Sequence, residues 1–471
     1  MIKCTSKLFL KDRGRNMEKQ LKLNYKNTFF IGLAFFAILM LWHVYNTYCP
    51  LILKDLLASS FDGDADKLTY VIGIIMAMDN LVALIIMPIF GNLSDKTNTK
   101  YGKRMPYILI GMLASALIFP LIAAFFIMNS LVGVIIIMGL ILIIMQGYRS
   151  PAVALMPDVT PKPLRSTANG IINLVGYIGA IIAGALAMVF KKTDANSNDL
   201  VYLWPFVISS ICMLAAMIIL KFKINEPKLL EETKDDVELG EKMSQSIEEI
   251  KEDKPLSKKD FTNLIIILIA VFFWFMAFNA IETFNSLFCR DILGSEGIHG
   301  TFTIILTVSS IISFILLSGI ANKIGRKWTI ILGLIMLVMG IGLMALITFL
   351  LKDVITSYVW VIYLLTVIIG IGWALVNINS YPMIVEMSNK KNVGKFTGYY
   401  YTASMIAQTA TPILVGLIMS FNDAGLRLLY VYSLITMLVA LAVFFFVVER
   451  RDLNKKLEKK GILDNLGDID D

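Results

Sequence analysis

The chain has 471 residues, 57% hydrophobic and only 17% charged, where a soluble domain carries about 25% charged residues. That balance excludes an ordinary soluble globular protein. The net charge of +7 does not point to nucleic acid, because the basic residues are spread over short segments between long apolar runs.

Residues 1–27 are basic and lack the apolar core of a secretory signal. Met17 is an alternative start. Apolar runs long enough to cross about 30 Å of hydrocarbon follow at about 28–50, 69–90, 105–127, 129–150, 168–190 and 200–220. Six more follow at about 262–288, 301–321, 328–350, 357–380, 396–419 and 427–448. Such a series predicts an all-α membrane protein with twelve transmembrane helices. Between the sixth and seventh runs, Lys221–Asp260 mixes nine Lys with twelve acids. It reads as a linker, helical at best in part. The expected organisation is therefore a first half over 1–220, a linker over 221–260 and a second half over 261–471. With the N-terminus inside, 36 of the 43 Lys and Arg fall on cytoplasmic segments and 7 on outer loops. This positive-inside asymmetry predicts a multi-pass cell-membrane protein with both termini and the linker in the cytoplasm. Cys49 and Cys289 lie near span ends and read as packing residues.

The halves carry traces of a repeat. Lys54-Asp55-Leu56-Leu57 follows span one, and Arg290-Asp291-Ile292-Leu293 follows span seven. Asp95 and Asn322 occupy matching loops, and span four ends with Ser150-Pro151 as span ten does with Tyr381-Pro382. The offsets of 236, 227 and 231 residues nearly agree, which favours duplication of a six-helix unit.

Polar residues inside apolar spans are the candidates for chemistry, since a charge at mid-membrane costs roughly 2.5–3.5 kcal/mol on insertion scales. Asp79 sits near the middle of span two. Burial there disfavours its charged form, so it can load a proton on one side and release it on the other. The alternative is an acid paired structurally with a neighbouring helix. Asn279 and Glu282 share a face of span seven at i, i+3 spacing. The repeat maps His43 onto Asn279 and Asn46 onto Glu282, as a cavity on a pseudo-twofold axis requires. Trp42, Tyr45, Trp274 and Trp373 are aromatic candidates for the same cavity, with Asn173, Asn377, Asn379 and Gln408 as further polar ones. Gly176, Ala180 and Gly184 let span five approach a neighbour closely. Two histidines and no ligand-spaced cysteines exclude a metal reading. No phosphate loop or catalytic constellation points to an ATP-driven pump or an enzyme.

The loop Gly91-Asn92-Leu93-Ser94-Asp95-Lys96 with Gly102-Lys103-Arg104, and its second copy Gly319–Lys327, resemble the signature loop of the major facilitator superfamily. In the first copy four extra residues separate Asp95 from Gly102. The run from Pro88 through Pro106-Tyr107-Ile108 resembles the glycoside-pentoside-hexuronide:cation symporters. Gln146-Gly147-Tyr148-Arg149-Ser150-Pro151 through Met156-Pro157-Asp158 is closer to the sucrose-transporter-like branch. The resemblance implies the major facilitator fold, two six-helix bundles, and uptake of a sugar or glycoside coupled to a cation by alternating access.

Carried over residue by residue, the resemblance also shows departures. The sodium-binding acids of melibiose carriers fall on Ala83 and Met87, and another site acid falls on Arg149. A sodium site wants several oxygen ligands and a proton needs one carboxyl, so the expected coupling ion is a proton, carried by Asp79. The expected substrate-binding set is His43, Asn46, Arg149, Asn279, Glu282, Trp373 and Asn377. Arg149 either contacts Asp79 or solute, or snorkels to the interface. Gly91, Asp95, Gly102 and Arg104 are expected to gate, through pairing across the halves. No cofactor and no metal are expected, and the partners are a small solute and the bilayer, with the chain acting as a monomer. Competing readings are a transporter or uniporter of another small organic solute, and a sugar receptor that does not transport.

Overall fold

A computed structural model describes residues 21–61, 65–192, 198–250, 258–317, 319–350, 355–388 and 392–448. Met17 and the ends of both tails lie outside the described residues. Among the described residues, twelve helical spans are long and apolar enough to cross a membrane. In the first half these are α1 (Tyr25–Ser60), α2 (Thr69–Lys96), the pair α3 (Met105–Ile118) and α4 (Pro120–Ile127), α5 (Leu131–Val159), α6 (Arg165–Val189) and α7 (Leu203–Lys223). In the second half they are α9 (Lys258–Asp291), α10 (Glu296–Leu317), α12 (Arg326–Leu350), α13 (Val359–Met387), α14 (Val393–Ser420) and α15 (Leu428–Phe445). Between them lie α8 (Glu226–Ile250) and the short α11 (Ile320–Ile324). The result is two six-helix bundles.

Local signals in the sequence set several of these boundaries. Asn24 caps α1 by accepting from the Asn27 amide at 3.1 Å, and Ser130 caps α5 by accepting from Gly133 at 3.2 Å. Pro120, which has no N–H to donate, divides the third span into α3 and α4. Several spans run past their apolar cores. α1 continues to Ser60 and α5 to Val159, with Pro151 and Pro157 inside the latter.

The bundles meet through α2 against α14 and α6 against α10, with α1 facing α9. Small residues make this approach close. A Cβ on Gly73 would lie 2.1 Å from the Pro412 carbonyl oxygen. A Cβ on Gly300 would lie 2.4 Å from the Gly184 carbonyl oxygen, and one on Gly184 would lie 2.9 Å from that of Gly300. Backbone rests on backbone at both crossings, an arrangement that only glycine allows. The predicted small-residue stripe on span five therefore serves two neighbours: Gly176 packs on Leu39 and Phe35 of α1, and Gly184 on α10.

Residues 226–250 depart from the sequence expectation of short helical turns. They form one continuous helix, α8. Mean hydropathy hides its pattern, because charged residues cover most of the surface while Leu229 and Met243 are buried. Ion pairs at i, i+4, Lys228–Glu232 at 3.8 Å and Glu238–Lys242 at 2.8 Å, support the exposed side. Gly240 seats the helix against Pro161 and Pro163 of the first half.

Candidate functional site

The end of the molecule where α1 begins and α15 ends is the terminal end, and the opposite one is the far end. A cavity of about 150 Å³ lies between the halves. Voids of this size admit a ring-sized solute. From the first half, His43, Asn46 and Thr47 of α1 and Tyr177 of α6 reach it. From the second half come Phe278 and Glu282 of α9, His299 and Thr303 of α10, and Trp373 of α13. Asn46 Nδ2 donates to Glu282 Oε1 at 3.4 Å, so two positions equated by the internal repeat meet each other. The Phe278 and Trp373 rings stack with centroids 3.7 Å apart and planes within 8°. This aromatic shelf stands beside amides, hydroxyls, imidazoles and one carboxyl.

The remaining predicted site residues are placed differently. Asn279 is buried one turn from Glu282, its Oδ1 without a protein partner, and does not reach the cavity wall. Asn377 donates to the Trp373 carbonyl at 3.1 Å, holding that turn of α13 instead of facing the solute space. Arg149 lays its guanidinium over the Trp42 ring, 4.9 Å from the centroid. It makes no ion pair with Asp79 among the described residues. Trp274 is fully buried in the second bundle against Phe444. Asp79 is buried on α2, where its Oδ1 accepts from Gln146 Nε2 at 3.0 Å. Asp79 is not among the residues that line the cavity.

The gating residues form a hub inside the first half. The Arg104 side chain pairs with Asp95 and Ser94, reaches Asp158 Oδ2 at 3.0 Å, and approaches the Gly91 carbonyl at 3.5 Å. Glu226, the first residue of α8, accepts from the amides of Lys103, Arg104 and Met105 at 2.8–3.1 Å. It thereby caps α3 at the positive end of that helix. Gly102 has φ +102°, and a Cβ there would lie 2.2 Å from Glu226 Oε2. In this state the loop pairs within the first half and with the linker helix. The side chain of Asn322 lies outside the described residues.

The far end is closed by groups that the sequence marks only as repeat signatures. Lys54 Nζ lies 2.7 Å from Asp291 Oδ2 and 2.5 Å from Asp66 Oδ1. Arg290 Nη1 lies 2.7 Å from Asp55 Oδ1. The base of each repeat thus binds the acid of the other, the reciprocal pattern expected about a twofold axis. Lys192 adds bonds to Asp55 at 3.0 Å and Asp199 at 2.7 Å. Glu296 accepts from the Tyr202 hydroxyl and from the Lys192 amide at 3.0 Å. Bonds from Asn46–Glu282 to the far end join the two halves.

Two bundles around a central polar cavity, closed at one end, define a membrane transporter. The model of the Major Facilitator Superfamily matches residues 29–382 and 295–467, and the chain belongs to that family. A 52-residue stretch is 46% identical to the lactose permease of Lactobacillus helveticus, covering 11% of this chain and 8% of that protein. Among solved structures, a D-xylose-proton symporter superposes with TM-score 0.67 at 14% identity, covering 90% of this chain and 98% of that one. The nucleoside transporter NupG gives 0.63 at 13% identity, covering 90% and 100%. A bacterial homologue of the iron transporter ferroportin, in an inward-facing state, gives 0.63 at 14% identity, covering 90% and 99%. At these identities the structural likeness speaks to the fold.

Proposed function

We propose that the protein takes up a sugar or glycoside together with a proton, by alternating access of the central cavity to the two membrane faces. The observation that carries this reading is the cavity wall. The stacked Phe278–Trp373 pair offers an apolar face for a pyranose ring, and neutral amide, imidazole and hydroxyl groups surround it. The segment similar to a lactose permease supports a sugar over other solutes. Proton coupling is assigned to Asp79, a carboxyl buried inside a membrane span and bonded to the neutral Gln146 amide. Sodium is disfavoured by Ala83 and Met87, which supply no ligands.

The test is uptake of radiolabelled lactose and D-xylose into vesicles under an imposed pH or sodium gradient. Accumulation driven by the pH gradient supports the proposal. Accumulation driven by sodium alone refutes the coupling, and uptake of neither sugar refutes the substrate class.

The distribution of Lys and Arg supports a cytoplasmic position for the terminal end and an outer position for the far end. A cysteine replacing the exposed Lys234 of α8 should resist a membrane-impermeant maleimide in intact cells and react after permeabilisation. Reaction in intact cells would reverse the orientation.

A further inference from the structure

His299 lines the cavity from α10, opposite His43 of α1, and these are the chain's two histidines. Each imidazole has its Nδ1 engaged, but in opposite senses. His43 Nδ1 lies 2.8 Å from the Leu39 carbonyl oxygen, which can only accept. The proton is therefore on Nδ1, and Nε2 keeps a lone pair. His299 Nδ1 lies 3.1 Å from the Asn285 amide nitrogen, which can only donate. That amide is oriented by Tyr430, whose hydroxyl donates to Asn285 Oδ1 at 2.8 Å. The neutral ring of His299 then carries its single proton on Nε2.

We propose that the two imidazoles form a donor–acceptor pair, one from each half, that recognises a hydroxyl group of the solute. Asn285 and Tyr430 act as positioning residues that set His299 as the donor. A hydroxyl both donates and accepts, so it can satisfy His43 Nε2 and His299 Nε2–H together, whereas a carboxylate only accepts and an ammonium only donates. No Lys or Arg lines the cavity among the described residues and Glu282 does, so the selected class is a neutral polyol. Asn285 and Tyr430 are themselves almost fully buried. Burying such a chain among apolar helices is costly unless its members bond one another, as Tyr430, Asn285 and His299 do. A hydroxyl held by one histidine from each half also makes occupancy sensitive to how the halves are apposed. The inference deepens the sugar reading and rests on the cavity being the solute site.

The experiment is 15N NMR of the full chain labelled with [15N]histidine in detergent micelles, first without solute and then with lactose. Without solute, one ring should carry its proton on Nδ1 and the other on Nε2, with His299→Gln removing the second set. Finding both rings in one tautomer overturns the pair, whether or not lactose is carried. Lactose should move both Nε2 resonances and neither Nδ1 pattern. Tyr430→Phe should mix the His299 tautomers while leaving His43 unchanged, which a purely structural hydroxyl would not do. His299→Phe should weaken lactose binding about tenfold, the scale of one hydrogen bond lost to an oriented donor. Lactose that is transported while leaving both Nε2 signals in place also overturns the proposal. Failure of lactose to bind counts against the sugar reading, and the solute-free tautomers still decide the pair.

Discussion

Asp79→Asn abolishes uphill accumulation while leaving solute binding intact. The exchange is nearly isosteric, and the new amide oxygen can still accept from Gln146 Nε2, which now lies 3.0 Å from Asp79 Oδ1. Packing of α2 against α5 is therefore preserved, and only the capacity to exchange a proton is lost. A gradient of one pH unit carries about 1.4 kcal/mol per proton, enough for about tenfold accumulation with one-to-one coupling. Wild-type vesicles should approach that ratio, whereas the variant should stop at equal concentrations inside and out. Exchange between preloaded and external sugar should persist, since it needs no net proton movement. A sodium gradient should drive neither protein. Wild-type accumulation by Asp79→Asn under the pH gradient would falsify the assignment. A lower yield with unchanged accumulation per folded molecule would make Asp79 a structural acid.

Lys54→Ala shifts the balance of states toward one open at the far end. The Lys54 side chain is only 11% exposed and stands between Asp66 and Asp291, joining the end of α1 to the end of α9. Removing one member of a largely buried pair costs more than the few tenths of a kcal/mol typical of exposed pairs. Asp291 keeps Arg290 at 2.7 Å and Asp66 is well exposed, so the full penalty of an abandoned charge does not apply. About 1–2 kcal/mol is the expected loss, a five- to thirtyfold change in the population of the far-end-open state. Electron-paramagnetic distance measurements between labels at Ser60 and Asn422, both exposed at the far end, report the opening directly. The distribution should gain a longer component in Lys54→Ala and stay unchanged in Lys54→Arg, which keeps the charge. An unaltered distribution in Lys54→Ala would remove this pair from the gate. Uptake should fall with the shift even though Lys54 never touches the solute.

The hub around Arg104 relates the two ends. In the described state Asp95, Asp158 and Arg104 bond within the first half, so closing the terminal end can draw on charges already in position there. The attachment of Glu226 to the amides of residues 103–105 fixes the start of the linker helix to the same hub. The start of the linker helix and the signature loop are thus both bonded to the first bundle. In the second copy of the loop, Arg326 Nη1 donates to Asn379 Oδ1 at 3.4 Å.

How much the sequence alone determined follows from the range of each interaction. Twelve spans are legible because hydrocarbon demands about 20 apolar residues in a row, a local and repeated requirement. The equivalence of Asn46 and Glu282 is legible as well, since duplicated halves put matching residues about one axis, and the two side chains meet as that symmetry requires. His43, Glu282 and Trp373 stand out as polar or aromatic residues in apolar runs, and all three reach the cavity. The same criterion places Asn279 and Asn377 wrongly, because helix rotation decides whether a residue turns inward, and neighbouring helices set that rotation. His299 and Asn285 lie near span ends, where polar residues are ordinary, and only tertiary packing carries them to the cavity beside Tyr430. The charges of Lys54, Asp55, Arg290 and Asp291 read in sequence as marks of a repeat. Their reciprocal pairing across 235–237 residues exists only once the two halves are apposed. The amphipathic pattern of α8 is likewise present in the chain, but charge dominates its composition, and the first bundle supplies the surface that makes its apolar face count.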